Sequence, residues 1–153
     1  MASLTFSLDD TRVRKKLSGL SAGVRNFKRP FDAASSELLE FYGEEVFASQ
    51  GNAIGEPWRA LAASTLAARA GRRGYYRQPP IATDKILVWT GRLKKGFARE
   101  VTSRMLRIFN DVPYFKYHQK ASGSPPQRRM LAIDKNVITK VIRHVQRYVR
   151  GLV

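Results

Sequence analysis

The chain contains no cysteine, which excludes a disulfide framework and any thiolate metal site and fits a reducing cytoplasm. It has two histidines, His118 and His144, and neither has a second ligand at a metal-binding spacing such as His-Glu-x-x-His. No Gly-rich phosphate loop of Walker or Rossmann spacing occurs. Acidic residues are scarce beyond Pro57, where only Asp84, Glu100, Asp111 and Asp134 remain. They are scattered singly, so the sequence does not signal a two-metal nuclease site. No apolar run approaches the ~20 residues that a membrane-spanning helix needs. Met1–Leu8 lacks the basic leader and apolar stretch of a signal peptide. Together these absences predict a soluble protein that is not an enzyme and needs no cofactor or metal.

What is present is an ordinary globular balance, 43% hydrophobic and 26% charged over 153 residues. That length suits a single domain with a sizeable core. The outlier is a net charge of +16, and it is unevenly placed. Residues 1–56 carry seven Lys/Arg and eight Asp/Glu, whereas residues 57–153 carry twenty-one Lys/Arg and four Asp/Glu. Such a field attracts polyanions or acidic protein surfaces. Arginine outnumbers lysine by eighteen to ten, which favours forked contacts to carboxylate or phosphate.

Periodicity predicts an α+β fold: a small antiparallel sheet packed against a long helix in the N-terminal half and an amphipathic C-terminal helix, with long basic loops. Leu4, Phe6 and Leu8 alternate as in a short strand. Val13, Leu17, Leu20, Val24 and Phe27 then form a narrow helical stripe, so residues 1–30 read as a strand-and-helix arm ending at Pro30. From Phe31 to Ala48, a second helix sets an apolar face against Glu37, Glu40 and Glu44. The acidic face reads either as solvated surface or as a docking stripe for a basic neighbour.

Ala62–Arg69 suggests a short Ala-rich helix, and residues 71–85 a long flexible loop. Ile86–Trp89 is predicted as a strand, and Thr90–Gly96 as a capped turn of helix. Phe97–Thr102 and Met105–Phe109 pair as a hairpin through Ser103 and Arg104. Pro113–Gln119 suits one or two helical turns, residues 120–127 a flexible loop, and Met130–Ile133 a last strand. The final helix, Asp134–Leu152, is the clearest element. Val137, Ile138, Val141, Ile142, Val145, Tyr148, Val149 and Leu152 fill one arc, and Lys140, Arg143, Arg147 and Arg150 the other. His118, lying among aromatics, reads as a histidine bonded to the backbone.

Two functional classes fit these features. Arg72, Arg73, Tyr75, Tyr76 and Arg77 combine phosphate-seeking charge with stacking rings, as single-strand binders do. The cations of the last helix could follow a nucleic-acid backbone. No helix-turn-helix, zinc-finger or RNA-recognition signature accompanies them.

The second class comes from an ordered set of motifs. Trp58 and Leu61 form Trp-x-x-Leu, and Thr90, Gly91 and Leu93 form Thr-Gly-x-Leu. Tyr114, His118 and Gln119 form Tyr-x-x-x-His-Gln, and Arg129 and Leu131 form Arg-x-Leu before the last helix. In this order they resemble the virion morphogenesis (tail completion) family of tailed bacteriophages, found in Mu-like and P2-like phages. The likeness runs from about Phe31 to the C-terminus. Two departures are Lys120-Ala121-Ser122 before Gly123, where the family often has a glycine soon after His-Gln, and Met130-Leu131-Ala132 in place of Phe-Leu-Gly.

The resemblance implies a small α+β structural protein assembled in the bacterial host cytoplasm. It would form a homo-oligomeric ring, a hexamer, at the head–tail junction or the top of the tail. Adjoining neck and tail proteins would be its partners, with packaged DNA in the lumen. On that reading Glu37, Glu40 and Glu44 form one lateral face, and Lys140, Arg143, Arg147 and Arg150 its complement.

Overall fold

The computed structural model describes residues 11–69, 85–120 and 126–152. The expected strand at Leu4–Leu8, the loop residues Arg72, Arg73, Tyr75, Tyr76 and Arg77, and all but Pro126 of the Ser122–Pro126 loop lie outside them.

The fold is α+β with a small antiparallel sheet. Helix α1 (Thr11–Arg25) leads into α2 (Lys28–Glu40), which continues through a wide π-helical turn at Phe41–Glu45 into α3 (Val46–Ala48). Pro30 does not separate the first two helices as expected. It sits in the first turn of α2, where backbone N–H groups lack partners and a missing one costs nothing. The π turn has a consequence for packing. It lets three consecutive residues, Phe41, Tyr42 and Gly43, all be buried, which a regular helical face would not allow. Gly43 allows a close approach there, since a Cβ would stand 3.3 Å from the carbonyl of Lys94.

A short 3-10 turn (Asn52–Ile54) and α4 (Ala63–Arg69) follow, then α5 (Arg92–Lys95), β1 (Phe97–Val101), β2 (Leu106–Asn110), α6 (Phe115–Gln119) and α7 (Lys135–Arg150). The hairpin is in the expected register, with Ala98 opposite Phe109. It is pinned to α2 by Arg99, whose Nη1 donates to Ser35 and Ser36 Oγ at 2.7 Å each and to the Asp32 carbonyl at 3.1 Å. Helix α7 packs along α2 and starts at Asp134, whose Oδ1 accepts from the Val137 amide at 2.9 Å.

The core lies where these elements converge, around Tyr42, Val46, Phe47, Trp58, Leu93 and Met130. Its rings interlock: Phe97 stacks on Tyr42 at 5.9 Å and meets Phe47 and Phe115 edge-on. Burial pushes the Tyr42 phenol pKa up, with the nearby Asp134 carboxylate adding to the effect. Its hydroxyl donates to the Ala132 carbonyl at 2.5 Å.

Two expected strands are absent. Ile86–Trp89 is a turn, with Leu87 at φ 60°, and the Ile86 amide donates to Gln50 Oε1 at 2.9 Å instead of to a ladder. Met130–Ile133 is irregular, because the side chain of Gln119 takes the place of a neighbouring strand. Gln119 Oε1 accepts from the Met130 and Leu131 amides at 2.6 and 3.2 Å, and its Nε2 donates to the Leu131 carbonyl at 2.9 Å.

Candidate functional site

The motif residues, spread over more than seventy positions, come together. Trp58 is buried, and its Nε1 donates to the Arg129 carbonyl at 2.6 Å, while Arg129 Nη1 pairs with Glu56 at 2.8 Å. Leu93 is buried; Leu61 and Leu131 pack against the same core. Thr90 Oγ1 accepts from the Arg92 amide at 3.4 Å, and Gly91, at φ 73°, turns the chain into α5. Gln119 Nε2 donates to the Leu131 carbonyl at 2.9 Å, so the two last motifs are tied directly, and the His118 carbonyl accepts from the Arg128 amide beside them at 2.9 Å. Tyr114 stays at the surface.

Beside this unit lies a cleft of about 800 Å³ lined by Leu61, Trp89, Thr90, Leu93, Tyr114 and His118, together with Arg59, Arg69, Arg92 and Arg128. Among the described residues no carboxylate lines it. Arg128 is buried and donates from Nε and Nη2 to the Arg59 carbonyl at 3.1 and 3.0 Å. Burial, and then the cations Arg69 and Arg59, hold its pKa below the ordinary guanidinium value. Arg69, also buried, donates to the Lys85 carbonyl at 2.9 Å and lies over the Trp89 ring at 5.3 Å. The His118 ring does not make the expected backbone bond: Nδ1 is buried without a hydrogen-bond partner. Burial and the neighbouring Arg128 pull its pKa down, which keeps the ring neutral near pH 7. A cleft of forked cations beside two aromatic planes can hold carboxylate or phosphate.

The chain matches no protein-family model, no curated protein and no solved structure.

Part of the acidic and basic sets expected on opposite lateral faces, Glu37 with Lys140 and Arg143, meets inside one chain. Glu37 Oε1 takes Lys140 Nζ at 2.9 Å and Arg143 Nη2 at 2.6 Å, while Oε2 takes Arg143 Nη2 at 2.6 Å and His144 Nε2 at 2.8 Å. Hydrogen bonds from Arg143, Lys140 and His144, in that order, lower the Glu37 pKa to about 2 against the opposing cost of burial. These residues therefore tie α2 to α7. Glu44 pairs with Lys94 at 2.5 Å. Glu40, Arg147 and Arg150 are exposed. Among the described residues no group of three or more His, Asp or Glu could hold a metal ion, and no helix is long and apolar enough to cross a membrane.

Sequence reasoning missed His144 and the set Arg59, Arg69, Arg92 and Arg128. The excess of cations after Pro57 was the available signal, but it does not say which of twenty-one converge.

Proposed function

We propose that this chain is a structural protein of a tailed-phage virion, a tail-completion or head–tail joining (neck) ring subunit that acts by oligomeric assembly. The observation that carries the reading is the way the motif side chains are used. Trp58 Nε1 and both amide atoms of Gln119 are engaged by backbone groups of residues 129–131. Side chains engaged in this way fix the shape of the chain around them. A surface held rigid in this way suits repeated contact between identical subunits. Native mass spectrometry and electron microscopy test it. Closed rings of one copy number support the proposal, and a chain that stays monomeric at every concentration refutes it.

One observation favours a second reading, a nucleic-acid-binding protein. The cationic cleft sets Arg59, Arg92 and Arg128 around Trp89 and Tyr114, which suits phosphates and stacked bases. The C-terminal helix exposes two further cations, Arg147 and Arg150. A DNA titration against salt separates the two readings. Each phosphate neutralised steepens the log–log slope by about 0.9 on duplex, and tight binding by a monomer at physiological salt selects the second.

A further inference from the structure

Among the described residues two apolar surfaces lie uncovered, and they differ in shape. The first is a ridge, the stripe of α1, on which Leu17 is 60% and Val24 45% exposed. Helix α1 reaches the rest of the molecule at its last turns. There Gly23 lies so close to Leu152 that a Cβ would stand 2.2 Å from Leu152 Cδ1. The Tyr148 hydroxyl meets the Gly23 and Asn26 carbonyls at 3.4 and 3.3 Å. A 15-residue helix containing Gly19 and Gly23 is marginal in water without a covering surface.

The second surface is a groove of about 400 Å³ between α2, β2 and α7. Leu106 and Ile108 line one side and Val141 the other. Ile133, 82% exposed, and Ile138 and Ile142, each 47% exposed, stand on its rim. Ile138 lies ten residues before Tyr148, about 15 Å along α7 at the helical rise. The contacts at Gly23 and Tyr148 hold the root of α1 at the far end of α7, so in this conformation the chain's own ridge does not fill its own groove.

Resting on the assembly reading, we infer that α1 of one copy docks its Leu17–Leu20–Val24 stripe into the α2–β2–α7 groove of a second copy. Ridge and groove are both apolar, and among the described residues each is left open. The exposed cations Arg12, Lys15 and Arg25 lie off the stripe, and Lys16 flanks it. The contact is heterologous, since one copy gives its helix and receives another elsewhere. Contacts of that kind propagate around a ring until it closes. The two-residue connection at Asn26 and Phe27, in which Asn26 Oδ1 accepts the Lys28 amide at 3.0 Å, sets the direction in which the arm leaves.

Because the chain has no cysteine, disulfide trapping reads this contact without background. Leu17→Cys and Ile142→Cys are made separately, mixed and oxidised. The expected product is a cross-linked pair at twice the chain mass that forms in the mixture and in neither variant alone. The double variant is expected to give a ladder of multiples that collapses on reduction. A double variant that closes on itself at the mass of one chain overturns the inference in favour of a self-filled groove. A pair formed by Ile142→Cys alone overturns it in favour of groove-to-groove contact, and one formed by Leu17→Cys alone in favour of arm-to-arm contact. Leu17→Asp and Ile142→Asp, both at exposed positions that the fold tolerates, should each weaken self-association at least tenfold with unchanged circular dichroism. Intact rings in both Asp variants refute the docking while leaving the ring reading standing. A wild-type chain that never associates removes both.

Discussion

The stretch from Phe41 to Trp58 and the helix α1 treat their apolar residues in opposite ways. In the first, Phe41, Tyr42, Val46, Phe47, Ile54 and Trp58 are all buried, and a π turn is inserted so that adjacent residues face inward. In the second, a stripe of the same period is left in water, with Leu17 and Val24 exposed. The contrast teaches that periodicity alone does not say where a face is buried. In the body it is buried within the chain; on α1 and along the outer side of α7 it is left exposed. Stability should therefore depend on the body and association on the arm, and substitutions in each should affect one property without the other.

The largest effect is expected in the body. Trp58→Ala removes a buried indole and its bond to Arg129, and should lower stability by about 3–5 kcal/mol. Urea unfolding followed by circular dichroism reads this, and a loss below 1 kcal/mol would erase the distinction between body and arm. Gly51→Ala comes next. Gly51 sits at φ 87°, and a Cβ there would meet the Glu56 carbonyl at 2.2 Å and Trp58 Cδ1 at 2.6 Å. A cost of about 2–3 kcal/mol is expected, visible as a lower melting temperature.

A smaller effect comes from the α2–α7 lock. The Glu37 pKa is depressed to about 2 in the folded chain from an ordinary value of 4.5. The unfolded chain therefore takes up the proton first, so stability is full above pH 4.5 and declines as pH falls toward 2. The partly exposed position of the cluster limits its contribution to about 1–2 kcal/mol. Glu37→Gln should flatten this part of the stability–pH curve, and an unchanged curve would show that the pairing contributes nothing. The smallest effect on stability belongs to the arm: Leu17→Asp should change it by less than about 0.5 kcal/mol, as exposed substitutions do.

Elements whose signal is local were legible in the sequence. The final helix had a full apolar arc and an aspartate at its start, and the hairpin had two short runs on either side of the polar pair Ser103 and Arg104. Elements stabilised by distant groups were not. Ile86–Trp89 carries a strand-like composition, but its first amide bonds to Gln50, thirty-six positions away. Met130–Ile133 is held by the amide of Gln119, so a side chain supplies the bonds that composition assigned to a ladder.

The site divides along the same line. The motif residues were named individually, yet their common packing needs the Trp58–Arg129 bond, seventy-one positions apart. Glu37, Lys140 and Arg143 were placed on outward faces because a helical wheel shows which residues share a side but not what that side meets. Those three charges lie at the boundary between α2 and α7, where they pair with one another.

The division between body and arm can be tested most directly by measuring native mass and unfolding midpoint together for the wild-type chain and Leu17→Asp. The expected result is a closed multiple of the chain for the wild type, a monomer for the variant, and nearly equal midpoints in urea at a concentration where both are monomeric. Rings of the same mass from both proteins, or a large loss of stability in the variant, would contradict it.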